Sequence, residues 1–109
     1  MTTPQAVFYG ASGNQYVFQV HLKDTQFLNL GGVYIFTRQS VDYQGKVSFQ
    51  PLYIGQTNSF TQRLTPNHEA WNRALANGFN TLCVNIDINE SSRKSSERDL
   101  INNYNHHTI

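Results

Sequence analysis

Residues 31–64 read GGVYIFTRQSVDYQGKVSFQPLYIGQTNSFTQRL, and the pattern within this stretch decides the fold. Two β-prone runs, VYIFTRQ from Val33 and VSFQPLYIGQT from Val47, flank the Gly-bearing loop SVDYQGK, which predicts two strands paired antiparallel. Side chains alternate between faces along a strand, so Val33 and Ile35 oppose Tyr34, while Leu52 and Ile54 oppose Tyr53. A matching register brings both phenols out together. Pro51 cannot donate to a ladder and belongs at an edge, a bulge or the strand start. Just after the second strand, Asn58 or Ser59 can cap a short helix whose Phe60, Arg63 and Leu64 share a face, so Arg63 borders the core.

Upstream, VFYGASGNQYVFQV sets two aromatic runs around a Gly-Ala-Ser-Gly-Asn turn, a hairpin signal between Ala6 and Phe18. Polar residues around Lys23 and Asp24 make a connection. Downstream, Pro66 interrupts the short helix, and residues 67–76 read as a second one, with Trp71, Ala74 and Leu75 on one face and Gly78 as its stop. From Phe79 to Ile88, Leu82, Val84, Ile86 and Ile88 alternate with Thr81, Cys83, Asn85 and Asp87, the period of a half-buried strand. A last helix opens at Asn89 as cap and places Glu97, Leu100, Ile101 and Tyr104 at helical spacing. The resulting order is β-β-β-β-α-α-β-α, with no repeat or linker dividing it.

Composition sets the outer bounds. A chain of 109 residues, 39% hydrophobic and 14% charged, suits one domain with one core rather than disorder. Its net charge of +1 counts mildly against a tight non-specific DNA binder, since phosphate neutralisation usually demands basic excess. Any basic surface must be local. Cys83 is the only cysteine, which excludes an intrachain disulfide, and its apolar surroundings suggest a small buried core residue. The opening has no basic start leading into an apolar stretch, and no eighteen apolar residues run together, so a soluble cytoplasmic protein without membrane contact is expected. His106 and His107 are adjacent, lack a second ligand cluster, and are expected to belong to a frayed terminus rather than a zinc site.

Gly32-Val33-Tyr34, then Tyr53-Ile54-Gly55, then Arg63 on the next helix and Glu97 on a late one resemble, in this order, the pattern of the GIY-YIG nuclease family. The resemblance covers roughly residues 31–105 and gains specificity from the blocks LYIGQTNSFTQRL and ERDLINNY. It implies an α/β domain with a small, mostly antiparallel sheet flanked by helices. Residues 31–109 form the nuclease-like core, and residues 1–30, carrying the hairpin, are an N-terminal extension packed on it. The activity implied is metal-dependent endonucleolytic hydrolysis of phosphodiester bonds in DNA.

Such hydrolysis needs a deprotonated water, a cation near the developing oxyanion and usually a metal ion. The resemblance implies that one of Tyr34 and Tyr53 orients or deprotonates the water, with Tyr34 favoured as base. It further implies that Arg63 clamps the phosphate and that Glu97 holds a single Mg2+ or Mn2+ ion. A free tyrosine titrates at about 10, so the base needs a nearby cation or metal-bound water. Glu97 shares a face with Leu100, Ile101 and Tyr104, and a partly desolvated carboxylate there wants a cation. The family commonly has His or Tyr one turn after the arginine; here Asn67 holds that place and His68 follows. Pro66 can shift the register enough to present His68 as a phosphate contact or as proton donor to the leaving oxygen. Gly32 and Gly55 are expected to serve close packing or close substrate approach.

The chain also departs from the family pattern. It reaches Ile109 without the proline and asparagine that follow the final helix, the stretch between GVY and YIG is longer, and Gln56 stands where some members carry lysine. The first rival is therefore a catalytically inactive nuclease-fold module that binds nucleic acid or a protein partner. A second is a protein-interaction domain with no nucleic-acid contact. A nuclease should gather Arg63, Arg93, Lys94 or Arg98 near one groove. With little surface for sequence readout, selectivity would come from DNA shape or single-strand junctions, a homodimer, or a specificity partner.

Overall fold

Apolar and polar residues alternate through QAVFY and QYVFQVHL, and these segments form β1 (Gln5–Tyr9) and β2 (Gln15–Leu22), paired antiparallel. The computed structural model describes residues 4–105 and 108; His106 and His107 lie outside the described residues. In the turn between β1 and β2, Gly13 adopts φ +90°, a left-handed conformation that glycine enters without steric cost. β3 (Gly32–Val41) and β4 (Val47–Thr57) form the second hairpin. Its turn is held by Asp42 Oδ1, which accepts from the backbone N–H groups of Gln44 and Lys46, both at 2.9 Å.

β5 (Thr81–Ile86) inserts between the hairpins, pairing with β2 on one side and β3 on the other. The strands lie in the order β1-β2-β5-β3-β4 and every pairing among them is antiparallel. The N-terminal hairpin thus continues the sheet that carries Tyr34. Two short helices, α1 (Phe60–Arg63) and α2 (Trp71–Ala76), cover one face, and α3 (Glu90–Tyr104) packs on the other. The protein is an α/β structure with an antiparallel curled sheet between helices. No helix among the described residues is long and apolar enough to cross a membrane.

Each face has its own core. Tyr34, Phe36, Leu82 and Val84 pack with Phe60, Leu64, Trp71, Ala74 and Phe79 beneath α1 and α2. Here Phe36 stacks on Phe79 at 4.7 Å between ring centroids, and Trp71 meets Phe79 edge-on at 4.9 Å. Such aromatic pairs add about 0.5–1.5 kcal/mol each beyond the area they bury. On the opposite face Phe8, Phe18, Val33, Ile35, Ile54 and Cys83 pack against Leu100 of α3.

Several expectations are corrected. Leu52 does not share a face with Ile54, because the register shifts from Phe36↔Tyr53 to Thr37↔Pro51 and leaves Leu52 as an extra residue. It joins the Tyr34–Phe36 cluster instead. Pro51 lies beside this bulge and on an edge strand, so its missing N–H costs the ladder little. β5 is not half-buried: as a central strand covered on both faces it buries Thr81 and Cys83 as well as Leu82 and Val84, while Ile86 and Ile88 are exposed. The polar burden is met locally, since Thr37 Oγ1 lies 2.5 Å from Thr81 Oγ1 and donates to the Thr81 carbonyl at 2.9 Å. α2 begins at Trp71 rather than near Asn67, and its Leu75 faces solvent. Ile101 of α3 also turns outward. Gly78, at φ +94°, follows α2 as expected.

Candidate active site

Tyr34 lies on β3 directly opposite Gly55 of β4. A Cβ at position 55 would come within 2.4 Å of both Cζ and the hydroxyl oxygen of Tyr34, so the absence of a side chain there lets the phenol lie across the neighbouring strand. The role of Gly55 is packing against the tyrosine itself. Gly32 is likewise architectural: a Cβ there would meet the Asn85 carbonyl oxygen at 2.1 Å. Gly55→Ala is expected to displace the phenol and lower stability by about 1–3 kcal/mol, the usual cost of overpacking. Urea denaturation measures the loss, and wild-type stability would mean that the ring accommodates the methyl group without strain.

Arg63 and His68 reach this phenol from the segment after β4. Ser59 caps α1 by accepting from the Gln62 N–H at 3.3 Å, and the helix ends at Arg63 after a single turn. Pro66 stands in the turn that follows. The His68 N–H returns to the Thr65 carbonyl at 2.9 Å, and the chain then enters α2. His68 thereby sits on a turn, with its side chain buried.

The hydrogen bonds around His68 determine its protonation. The Ala70 N–H donates to His68 Nδ1 at 3.0 Å, so Nδ1 carries no proton in the neutral ring and the proton resides on Nε2. His68 Nε2 is 2.7 Å from the Tyr34 hydroxyl, to which it therefore donates. Arg63 Nε donates to the same oxygen at 3.3 Å. With two donors aimed at it, the Tyr34 oxygen is built to carry negative charge, yet burial holds its pKa above the ordinary value of 10 in this state.

Burial, with Arg63 adding to it, pushes His68 down to about 4. An unfolded histidine titrates at about 6.5, so between these values the unfolded chain binds a proton that the folded chain refuses. This contribution to stability is complete above pH 6.5 and is lost as pH falls toward 4. His68→Gln is expected to flatten the decline. Denaturation midpoints at pH 7 and pH 4.5 test this, and an equal decline in both proteins would detach His68 from it.

Tyr53 stacks beside Tyr34 with centroids 6.2 Å apart and planes inclined by 27°, so the two phenols do share a face. Its pKa is raised by burial and then by Glu69, with Arg63 opposing.

Comparison with protein-family models, curated proteins and solved structures gives no match.

The chemistry of the site is accordingly read from its residues. Glu97 projects from α3 and is half-buried; burial raises its pKa, while the Gln56 N–H, Arg98 and Lys94 pull it down. Among the described residues it forms no salt bridge. Its charge also acts at Tyr53, where it adds to the raised pKa of that phenol. A half-buried, unpaired carboxylate fits one hard divalent cation whose other ligands are water and substrate oxygen.

Two features escaped the sequence reading. Glu69 grips Arg63 through both carboxylate oxygens, at 2.7 Å to Nη1 and 2.5 Å to Nη2; the contact spans the Pro66 turn, and no helical spacing announces it. Arg93, expected to help line a basic groove, is instead buried. Its Nε donates to Gln56 Oε1 at 2.8 Å and its Nη1 to the Ile88 carbonyl at 3.3 Å, which withdraws it from any surface phosphate. Lys94 is engaged by Glu90 at 2.7 Å.

Proposed function

We propose that this chain is a metal-dependent DNA endonuclease of GIY-YIG type, with residues 31–109 as the nuclease core and residues 1–30 as its added hairpin. The observation that carries the reading is the Tyr34 oxygen held between His68 Nε2–H and Arg63 Nε–H, with Tyr53 stacked alongside. These are the residue types, in the order, that the family pattern assigns to phosphodiester hydrolysis. A reducing, cytoplasmic setting belongs to the same proposal and suits the lone buried Cys83.

Tyr34 acts as base in its phenolate form, taking a proton from the attacking water. His68 and Arg63 stabilise that phenolate by donating to it. His68 therefore positions and polarises Tyr34 rather than protonating the leaving oxygen, because its one proton is committed to the phenol. The Arg63 Nη groups, held by Glu69 at rest, would clamp the phosphate once released, where a preorganised donor counts most as charge develops. Glu97 would hold Mg2+ or Mn2+, which supplies neutralisation of phosphate charge when bound.

Incubation of the purified chain with plasmid and single-stranded DNA, with and without magnesium or manganese, tests the proposal. Metal-dependent product is expected. One observation favours the alternative of a catalytically inactive module binding nucleic acid or a protein partner: Arg63 is already paired with Glu69. DNA binding without product under either metal would select that alternative. Selectivity through a homodimer or a specificity partner is compatible with both.

A further inference from the structure

The Arg63–Glu69 pair holds the planar guanidinium fork by two parallel hydrogen bonds, the geometry in which arginine also binds phosphate. Carboxylate and phosphodiester therefore compete for the same two Nη groups. The backbone around Glu69 is anchored, since His68 and Ala70 on either side are buried and joined by the Ala70 N–H to Nδ1 bond. The Glu69 side chain is free to leave: it is 61% exposed, against 36% for Arg63. Besides Arg63, its carboxylate accepts from its own backbone N–H and lies 3.6 Å from His68 Nδ1, an atom already occupied by the Ala70 N–H.

We propose that Glu69 is a built-in stand-in for phosphate, occupying the anion subsite of Arg63 at rest, so that a nucleic-acid phosphodiester enters by displacing it. The inference rests on the nuclease reading for the identity of the ligand but not for the existence of the subsite. Glu69 makes Arg63 selective: a weakly held monoanion does not open the pair, whereas a polyanionic strand bound through neighbouring contacts does. Its charge also acts on the machinery, because it opposes ionisation of both Tyr34 and Tyr53. Withdrawal of Glu69 thus frees the clamp, and the phosphodiester that replaces it brings a charge of the same sign beside the phenols.

The apparent affinity of a site falls by the fraction of time it is open. For a pair closed about nine-tenths of the time, Glu69→Gln should tighten metal-free binding of a short DNA duplex by about tenfold. Fluorescence anisotropy at fixed ionic strength measures it, with Asp24→Asn, which also removes one exposed carboxylate, as control. In parallel, the Arg63 Nε–H resonance is followed during titration with inorganic phosphate. Tighter DNA binding in Glu69→Gln alone, with the resonance shifting at lower phosphate than in the unaltered chain, is the expected result. Equal gains in both variants, or no gain in either, overturn the proposal. Cleavage with magnesium separates the two readings. A gain in binding with no product in any variant leaves the stand-in and removes the nuclease, while product without a gain does the reverse.

Discussion

Tyr34→Phe is expected to cut DNA about a hundred- to ten-thousandfold more slowly than the unaltered chain, the usual loss when a positioned general base is removed. The size of the effect follows from what converges on the hydroxyl, since His68 Nε2–H and Arg63 Nε–H both end there. The substitution is not silent in the fold. Tyr34 is 1% exposed, and its loss leaves the His68 proton unpaired in the interior at a cost of about 1–3 kcal/mol. Rates must therefore be compared well below both melting temperatures. Tyr53→Phe, at a half-buried ring beside it, should lose less. Because burial holds Tyr34 above the ordinary tyrosine value and the phenolate is the active form, the rate should climb about tenfold per pH unit from pH 7 to pH 9. A larger loss at Tyr53 would transfer the role of base to that residue. Wild-type rates in both variants would remove the tyrosine mechanism and leave the fold untouched.

Glu97→Gln is expected to abolish metal-dependent turnover altogether. The amide matches the carboxylate in shape, so the half-buried site stays filled, but it brings no charge for a hard cation that prefers carboxylate oxygen. Calorimetric titration with manganese in the absence of DNA gives a readout independent of cleavage: heat of binding in the unaltered chain, none in the variant. Circular dichroism and melting control for folding; burial raises the Glu97 pKa, so the variant should be at least as stable near neutral pH. Undiminished cleavage by folded Glu97→Gln protein would refute the metal role assigned here.

The parts of this structure that were legible in the sequence are those set by local periodicity. The two hairpins, the Ser59 and Asn89 caps and the Gly78 stop all follow from turn and capping chemistry confined to a few residues. The shared face of Tyr34 and Tyr53 was also legible, because residues 36 and 53 pair before the register slips. What local pattern could not disclose depends on distant partners. The Leu52 bulge exists only against β3. The second face of β5 is buried because α3 lays Leu100 over the cluster that holds Cys83, which no alternation within residues 79–88 encodes. Arg93 reads as a solvated helix residue until Gln56 and the Ile88 carbonyl are placed around it. His68 was a candidate by its type and neighbourhood, but its tautomer depends on the Ala70 N–H, and its grip on Tyr34 on a turn that no helical register describes. Glu69 had no signal at all, since a carboxylate six residues from an arginine across a proline turn has no regular geometry.

The position of β5 also constrains the order in which the chain can assemble. The last strand to leave the ribosome is the middle of the sheet, so β2 and β3 each present an unpaired edge until Thr81–Ile86 arrives between them. Until then the two hairpins are separate units, and each is too small to be independently stable. The tyrosine pair is prepared early, within the β3–β4 hairpin, but the floor beneath it is laid last. Zipping β5 into both edges at once joins residues 19–22 to 81–84, a long-range closure of the kind that slows folding and leaves strand edges open to other chains meanwhile. The same closure makes the sheet all-or-none, because neither hairpin can be withdrawn without exposing a flank of the strand that the other depends on.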